Sequence, residues 1–418
     1  MKKLFTLILI NIIFAQTSKK ANVTIYKDGT ALVKQEIVWD NIPKGKSIIK
    51  YDDIPKSIQK DTPFISIENV QVLNQKFVEK IFSSNNYFSS KKGDYITVKL
   101  KNEKAVSGNL LEISSSVITI QSKYSVRSFN RENVEYIETK DNISAPNFSP
   151  YLQWEIKNNK AGKVKASLVY KLGNVSWDAI YRLTTNGQTE GELVVEGVIF
   201  NNSSKDYFNA NINLIEGIIN KSKPKQANNY SEMVMSRSVV QKNTPAELGD
   251  YYIYSTGSIQ NFTSRENITV GIYGPLNVNY EKVYVFENFE RQKKDEPLRI
   301  EYTLSNTEKD GLGIVLPAGK VDIYTNSNKG GFEFIGSDNI GQVPKGESSK
   351  IQAGYAFDIT GKRKVINYDR QRKSEEAVIE VALNNSKSET ASVKVVEHIN
   401  GDWVIRDPSH DYIKEDAS

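Results

Sequence analysis

The sequence predicts an all-β protein of several domains, built from immunoglobulin-like β-sandwiches and a small SH3-like barrel, with minimal helix. Three observations carry this. Apolar and polar residues alternate in short runs along most of the chain, the pattern of strands with one buried face. Turn sequences such as Asp28-Gly29, Pro344-Lys345-Gly346-Glu347 and Asn384-Asn385-Ser386 punctuate these runs. Beyond residue 15 no window sustains a helical apolar stripe over three turns. The 418 residues suggest about three domains, and 39% hydrophobic residues are enough to fill their cores.

Met1–Ala15 has the three parts of a secretory signal peptide: Lys2 and Lys3, an apolar run from Leu4 to Phe14, and a small residue at Ala15. The run is too short to span a bilayer as a helix. Export, to the periplasm or the cell envelope, is therefore expected. The chain has no cysteine, so its cores must hold without disulfides, and a lipoprotein anchor is excluded.

Residues 21–79 read as an N-terminal β domain. Val23–Tyr26 and Ala31–Trp39 flank Asp28-Gly29, a hairpin signal because glycine tolerates the positive φ of a tight turn. Residues 80–92 are polar, with Phe82, Tyr87 and Phe88 among them, and suit a linker or short helix. From 93 to 139 five short strands separated by tight turns suggest a small closed barrel. The remainder, 148–418, reads as a C-terminal sandwich region. In it Leu152–Ile156 and Val164–Lys171 are expected to pair around Lys160-Ala161-Gly162-Lys163. Residues 221–248 break the alternation and are expected to form a mobile loop.

Several runs in this region resemble, in order, motifs of the bacterial domain-of-unknown-function 4139 family, the mucoidy inhibitor A-like proteins. They are Asn174–Leu183 (NVSWDAIYRL), Pro317–Val321, Phe334-Ile335-Gly336, Pro344–Glu347, Gly354–Ile359 and Glu397–Trp403. Val23–Val33 resembles the β domain that precedes them in such proteins. The small barrel stands where many relatives carry a coiled coil. The resemblance implies an exported β-rich architecture and transfers no catalytic residues. It also implies further strands beyond Ser418, so that Ala377–Leu383 or Ser392–Glu397 would present an unpaired edge for self-association or β-addition.

The chemistry in the sequence is sparse. Lys plus Arg is 55 and Asp plus Glu is 50, and loss of Lys2 and Lys3 lowers the net charge from +5 to +3. That balance argues against nucleic acid as a partner. Without cysteine, thiol catalysis and Cys-based metal sites are excluded. His398 and His410 are the only histidines. His398 suits a half-buried strand residue bonded to backbone; His410 with Asp407 and Asp411 is the sole candidate metal grouping. Three Ser-x-x-Lys matches lack their partner motifs. The adjacent carboxylates Asp52-Asp53 and Glu375-Glu376 fall on opposite faces of a strand, not across a cleft. No cofactor is called for.

Two surface features remain. Lys362, Arg363, Lys364, Arg370, Arg372 and Lys373 form the densest basic run, suited to anionic envelope polymer or lipid headgroups, or to a charged hairpin that resists edge pairing. Tyr251, Tyr252 and Tyr254 place aromatics on both faces of one strand, for stacking on a sugar or protein, or for core packing. The expectation is a non-catalytic, envelope-associated binding or structural protein acting through sheet edges and loops. A hydrolase of envelope polysaccharide or peptide is the alternative.

Overall fold

The computed structural model describes residues 12–14, 16–141, 146–217, 246–248, 251–326, 330–371 and 374–415. The chain is nearly all β, with one α-helix among these residues. It divides into two units, and each is made from separated stretches of sequence. The first comprises Met1–Lys19, Lys34–Leu172 and Ser203–Lys205; the second comprises Lys20–Val33, Gly173–Asn202 and Asp206–Ser418.

The first unit draws on β1 (Ile12–Phe14), β2 (Gln16–Tyr26), β3 (Thr30–Ile42), β4 (Gly45–Tyr51), β5 (Phe64–Ile67), β6 (Val70–Val78) and α1 (Ser84–Ser89). It continues with β7 (Tyr95–Leu100), β8 (Val106–Ile113), β9 (Val117–Gln121), β10 (Val126–Asn130), β11 (Val134–Glu138), β12 (Tyr151–Asn158) and β13 (Gly162–Gly173). One sheet has the order β1-β4-β12-β6, and β13 lies between β3 and β5 in another. The expected hairpin of β12 and β13 does not form: the two strands enter different sheets. The N-terminal domain therefore does not close at residue 79, because β12 supplies the partner of both β4 and β6. Of the expected signal segment, residues 1–11 and 15 lie outside the described residues, and Ile12–Phe14 pair in parallel with Ile48–Lys50.

The core of this unit is aromatic. Trp39 of β3 meets Trp154 of β12 edge to face, with ring centroids 6.0 Å apart. Both are fully buried, so each indole N–H needs an acceptor. Trp39 donates to the Lys50 carbonyl at 3.2 Å and Trp154 to Gln75 Oε1 at 2.7 Å. Gln35, also buried, accepts from the hydroxyls of Tyr51 and Tyr170, each at 3.1 Å.

Residues 95–138 form a five-stranded sheet of order β10-β9-β8-β7-β11. Its core is Ile96, Val98, Leu100, Leu110, Ile113, Ile118 and Ile120, with Phe88 of α1 packed against it. The five expected strands are present, and α1 occupies the expected linker. A 3-10 turn, Arg131–Asn133, carries the chain from one end of the sheet order to the other, so the sheet is curled. This curled order fits the expected small barrel; among the described residues β10 pairs with β9 and β11 with β7, and no backbone pairing joins the two end strands.

The second unit adds β14 (Val175–Thr185), β15 (Glu190–Asn201), β16 (Tyr207–Glu216), β17 (Ala246–Leu248), β18 (Tyr251–Phe262), β19 (Glu266–Phe289) and β20 (Lys294–Ser305). Then come β21 (Gly319–Asn326), β22 (Phe332–Ile340), β23 (Ser348–Arg370), β24 (Glu375–Asn385) and β25 (Val393–His398). The order β22-β21-β14-β15-β19-β20-β23-β24, with β25 beside β19, makes the larger sheet. Facing it, β16 pairs with β18 and, in parallel, with Asn22–Tyr26 of β2. The β2–β3 turn has the expected Gly29 at φ 83°. The expected loop 221–248 falls largely outside the described residues; its last three residues are β17.

Between these layers Trp177 of β14 donates to the Ile215 carbonyl at 3.1 Å and packs on Tyr254 of β18. Tyr254 and Tyr273 hydroxyls both reach the Val315 carbonyl at 3.3 Å, and Tyr181 donates to the Pro317 carbonyl. Farther along, Phe286 lies flat over Gly361, where an added Cβ would meet the ring at 2.8 Å. Leu298, Ala356 and Ile359 complete that second core.

Burial, above all, raises the pKa of Tyr181, Tyr254 and Tyr273 far above the usual phenol value, and pushes Tyr280 up to about 12. Because these folded values exceed the unfolded one near 10, their contribution to stability is complete below about pH 10 and is lost as pH rises through the folded values. Spectrophotometric titration of the native chain should therefore leave these tyrosines un-ionised at pH 11, and they should ionise together when alkali unfolds the protein.

Candidate functional site

The basic run lies on β23, whose two neighbours are β20 and β24. Strand alternation sends its members to opposite faces. Arg363 points inward and is 1% exposed. Its guanidinium meets Glu397 of β25, with Nε 3.0 Å from both carboxylate oxygens and Nη2 2.8 Å from Oε2. The remaining N–H groups donate to the carbonyls of Gln292 and Glu290. Arg363 is thus a clamp between β23, β25 and the turn after β19, and not part of a binding surface as expected. Only a planar fork of donors satisfies a carboxylate and two carbonyls at once.

The exposed members are each opposed by an acid. Lys362 meets Asp295 at 2.7 Å, Lys364 meets Glu380 at 3.7 Å, and Arg370 meets Glu375 at 3.2 Å. Arg291 shares Glu375 at 2.7 Å. Arg372 and Lys373 lie outside the described residues. This is the charged-hairpin arrangement, and the described members of the run carry little free positive charge.

The tyrosine trio divides. Tyr254 is buried at 4% exposure between Trp177 and Tyr273; Tyr251 and Tyr252 are half-buried. Tyr254 is therefore a core residue, not a contact for a partner.

Sequence reasoning missed a buried ion pair. Glu216, at the end of β16, is 4% exposed. Its Oε2 stands 2.9 Å from Lys27 Nζ, and its Oε1 accepts from Gln342 Nε2 at 2.8 Å and the Ala318 N–H at 3.3 Å. Lys27 also donates to the Ala318 carbonyl and stands 4.8 Å from the Trp177 ring centroid. The charges balance each other, and Oε1 of Glu216 and Nζ of Lys27 are each hydrogen-bonded around Ala318, so the pair fastens the β2–β3 turn to the segment leading into β21. No spacing rule links positions so distant in sequence.

His398 is partnered by a carboxylate, not by backbone as expected. Its Nε2 lies 2.8 Å from Glu287 Oε1, and its ring stacks on Phe289 at 4.7 Å. Arg299 donates to the other Glu287 oxygen at 2.7 Å. These two hydrogen bonds, His398 first and Arg299 second, hold the Glu287 carboxyl below its ordinary value. His410 bonds Ser409, and among the described residues no group of three His, Asp or Glu side chains is placed to hold a metal.

The surface best suited to a partner is β24. Among the described residues it ends the larger sheet and pairs with β23 alone, and none of its eleven residues is buried. Val378 is 53% and Leu383 46% exposed. A strand so placed presents a row of N–H and C=O groups open to pairing. No helix among the described residues is long and apolar enough to cross a membrane. No family model matches the chain, and a search of the curated proteins finds no match.

Two outcomes follow from this geometry. Arg363→Ala leaves the Glu397 carboxylate without its partner and should cost about 3 kcal/mol in denaturant unfolding, whereas Lys362→Ala should leave the melting temperature unchanged. Glu287 has a depressed folded pKa, so its contribution is present above about pH 4.5 and is lost as pH falls through the folded value. Glu287→Gln should then lower the melting temperature at pH 7, with the gap from the parent closing in acid.

Proposed function

We propose that the chain is an exported, non-catalytic binding module of the cell envelope, and that the outer edge of β24 receives an extended segment of an envelope protein. The observation that carries this reading is the exposed edge: eleven residues paired on one side only, with half-exposed Val378 and Leu383 beside the open backbone groups. In β-addition the main chain supplies affinity and alternate side chains supply selectivity. The charged pairs Arg370–Glu375 and Lys364–Glu380 along the β23–β24 hairpin discourage unselective pairing.

Export is supported by Met1–Ala15 and by the absence of cysteine. Cleavage after Ala15 would remove β1 and leave β4 its pairing with β12. The ordered motifs from Asn174 to Trp403 support membership of the domain-of-unknown-function 4139 family, which is an architectural reading and names no ligand.

A photo-crosslinking residue at position 378 tests the proposal in cells. It should capture one envelope protein through an extended segment, whereas the same group at Lys44 should not. Leu383→Pro in the 378-labelled chain should abolish capture without loss of secreted, folded protein. Equal adducts from both positions, or capture that survives the proline, would overturn the reading.

A further inference from the structure

The small sheet at 95–138 has two free edges of its own. β10 and β11 stand at opposite ends of the order β10-β9-β8-β7-β11, and each pairs on one side only. We propose that this sheet is an assembly module, in which β10 of one chain adds to β11 of a second copy. This goes beyond the partner assigned to β24 and uses a different surface.

Three features of the two edges match. The first is charge. Arg127 stands exposed on β10 and Lys123 in the turn that leads into it, and Glu135 and Glu138 stand exposed along β11. Glu135 already meets Lys99 at 3.3 Å, which leaves Glu138 as the freer acid. A second copy therefore brings a basic edge to an acidic one, whereas β10 against β10 or β11 against β11 sets like charges together.

The second feature is apolar surface. Val126 of β10 is 59% and Tyr136 of β11 46% exposed, and Tyr124, in the turn before β10, is 87% exposed. Both strands are short and charged and β11 has a register shift between Val134 and Tyr136, features that temper an edge, but neither holds a proline or an inward-pointing charge. The third is shape. A cleft of about 240 Å³ runs beside β11, lined by Ser84 and Phe88 of α1 and by Arg131, Val134, Tyr136 and Ile137. A strand laid along β11 would direct alternate side chains to this cleft, as β-addition requires.

The pairing is head to tail: a chain that offers β10 still has β11 free. Such a contact closes into a ring if the rotation allows and otherwise continues as a filament. A two-fold pair, in which each chain's β10 meets the other's β11, is its smallest closed form.

Light scattering on the purified full chain tests this. The wild type should assemble with rising concentration and dissociate as salt is raised. Lys123→Glu with Arg127→Glu should raise the midpoint for assembly about tenfold, and Glu138→Lys should do the same. All three together restore opposite charge across the interface and should bring the midpoint back to within about threefold of wild type. Each variant keeps the sheet core, so its melting temperature reports folding separately. A wild type that remains monomeric at about 100 µM, a concentration that populates even weak specific contacts, overturns the proposal. So does assembly that the charge variants leave unchanged. Neither result bears on capture at position 378, so failure here is distinguishable from failure of the β24 reading.

Discussion

β19 spends twenty-four consecutive residues in one strand, and its backbone groups are satisfied by three different partners. Residues from Glu266 to Asn279 pair with β15, Tyr280–Val285 with β20, and Tyr284–Phe289 with β25. A buried backbone group left without a partner costs as much as a lost hydrogen bond. The second unit is arranged around that demand. The partner strands fix which side chains face inward, and hence that Trp177, Tyr254 and Tyr273 share one core while Phe286, Leu298 and Ile359 share the next.

The same constraint explains how the charges are used. Where a strand face is buried, a polar group survives only with its full set of partners. Arg363 and Glu397 meet that condition, as does the Gln35–Tyr51–Tyr170 group; Glu216 has one oxygen hydrogen-bonded and sets the other against the Lys27 charge. Where the face is open, as along the β23–β24 hairpin, opposite charges sit side by side across the strands and contribute more to selectivity than to stability.

Much of the fold was legible from alternation. Asp28-Gly29 marked its hairpin, the five strands from Tyr95 to Glu138 stood close to their observed limits, and the shortage of helix was plain. Period-two patterning says which side chains share a face; it does not say which strand lies alongside. For that reason β12 and β13 looked like a hairpin and instead joined different sheets. The same limit hid the site chemistry. Arg363 sits among five other basic residues in the sequence, and only the position of Glu397 on a neighbouring strand shows that it turns inward. Nothing in the sequence around Lys27 or Glu216 marks them as partners. Tyr254 shares a strand face with Tyr252, and only the packing of Trp177 and Tyr273 around it makes it the buried one.

The ion pair of Lys27 and Glu216 also has a temporal side. Lys27 leaves the ribosome early, yet its carboxylate partner follows many residues later, and the carbonyl it bonds, that of Ala318, lies 291 positions on. The β2–β3 turn consequently emerges with a charge and a strand edge that nothing nearby in sequence can satisfy. Long-range pairing of this kind delays folding until most of the chain is present. The second unit therefore cannot lock until its late strands have been made.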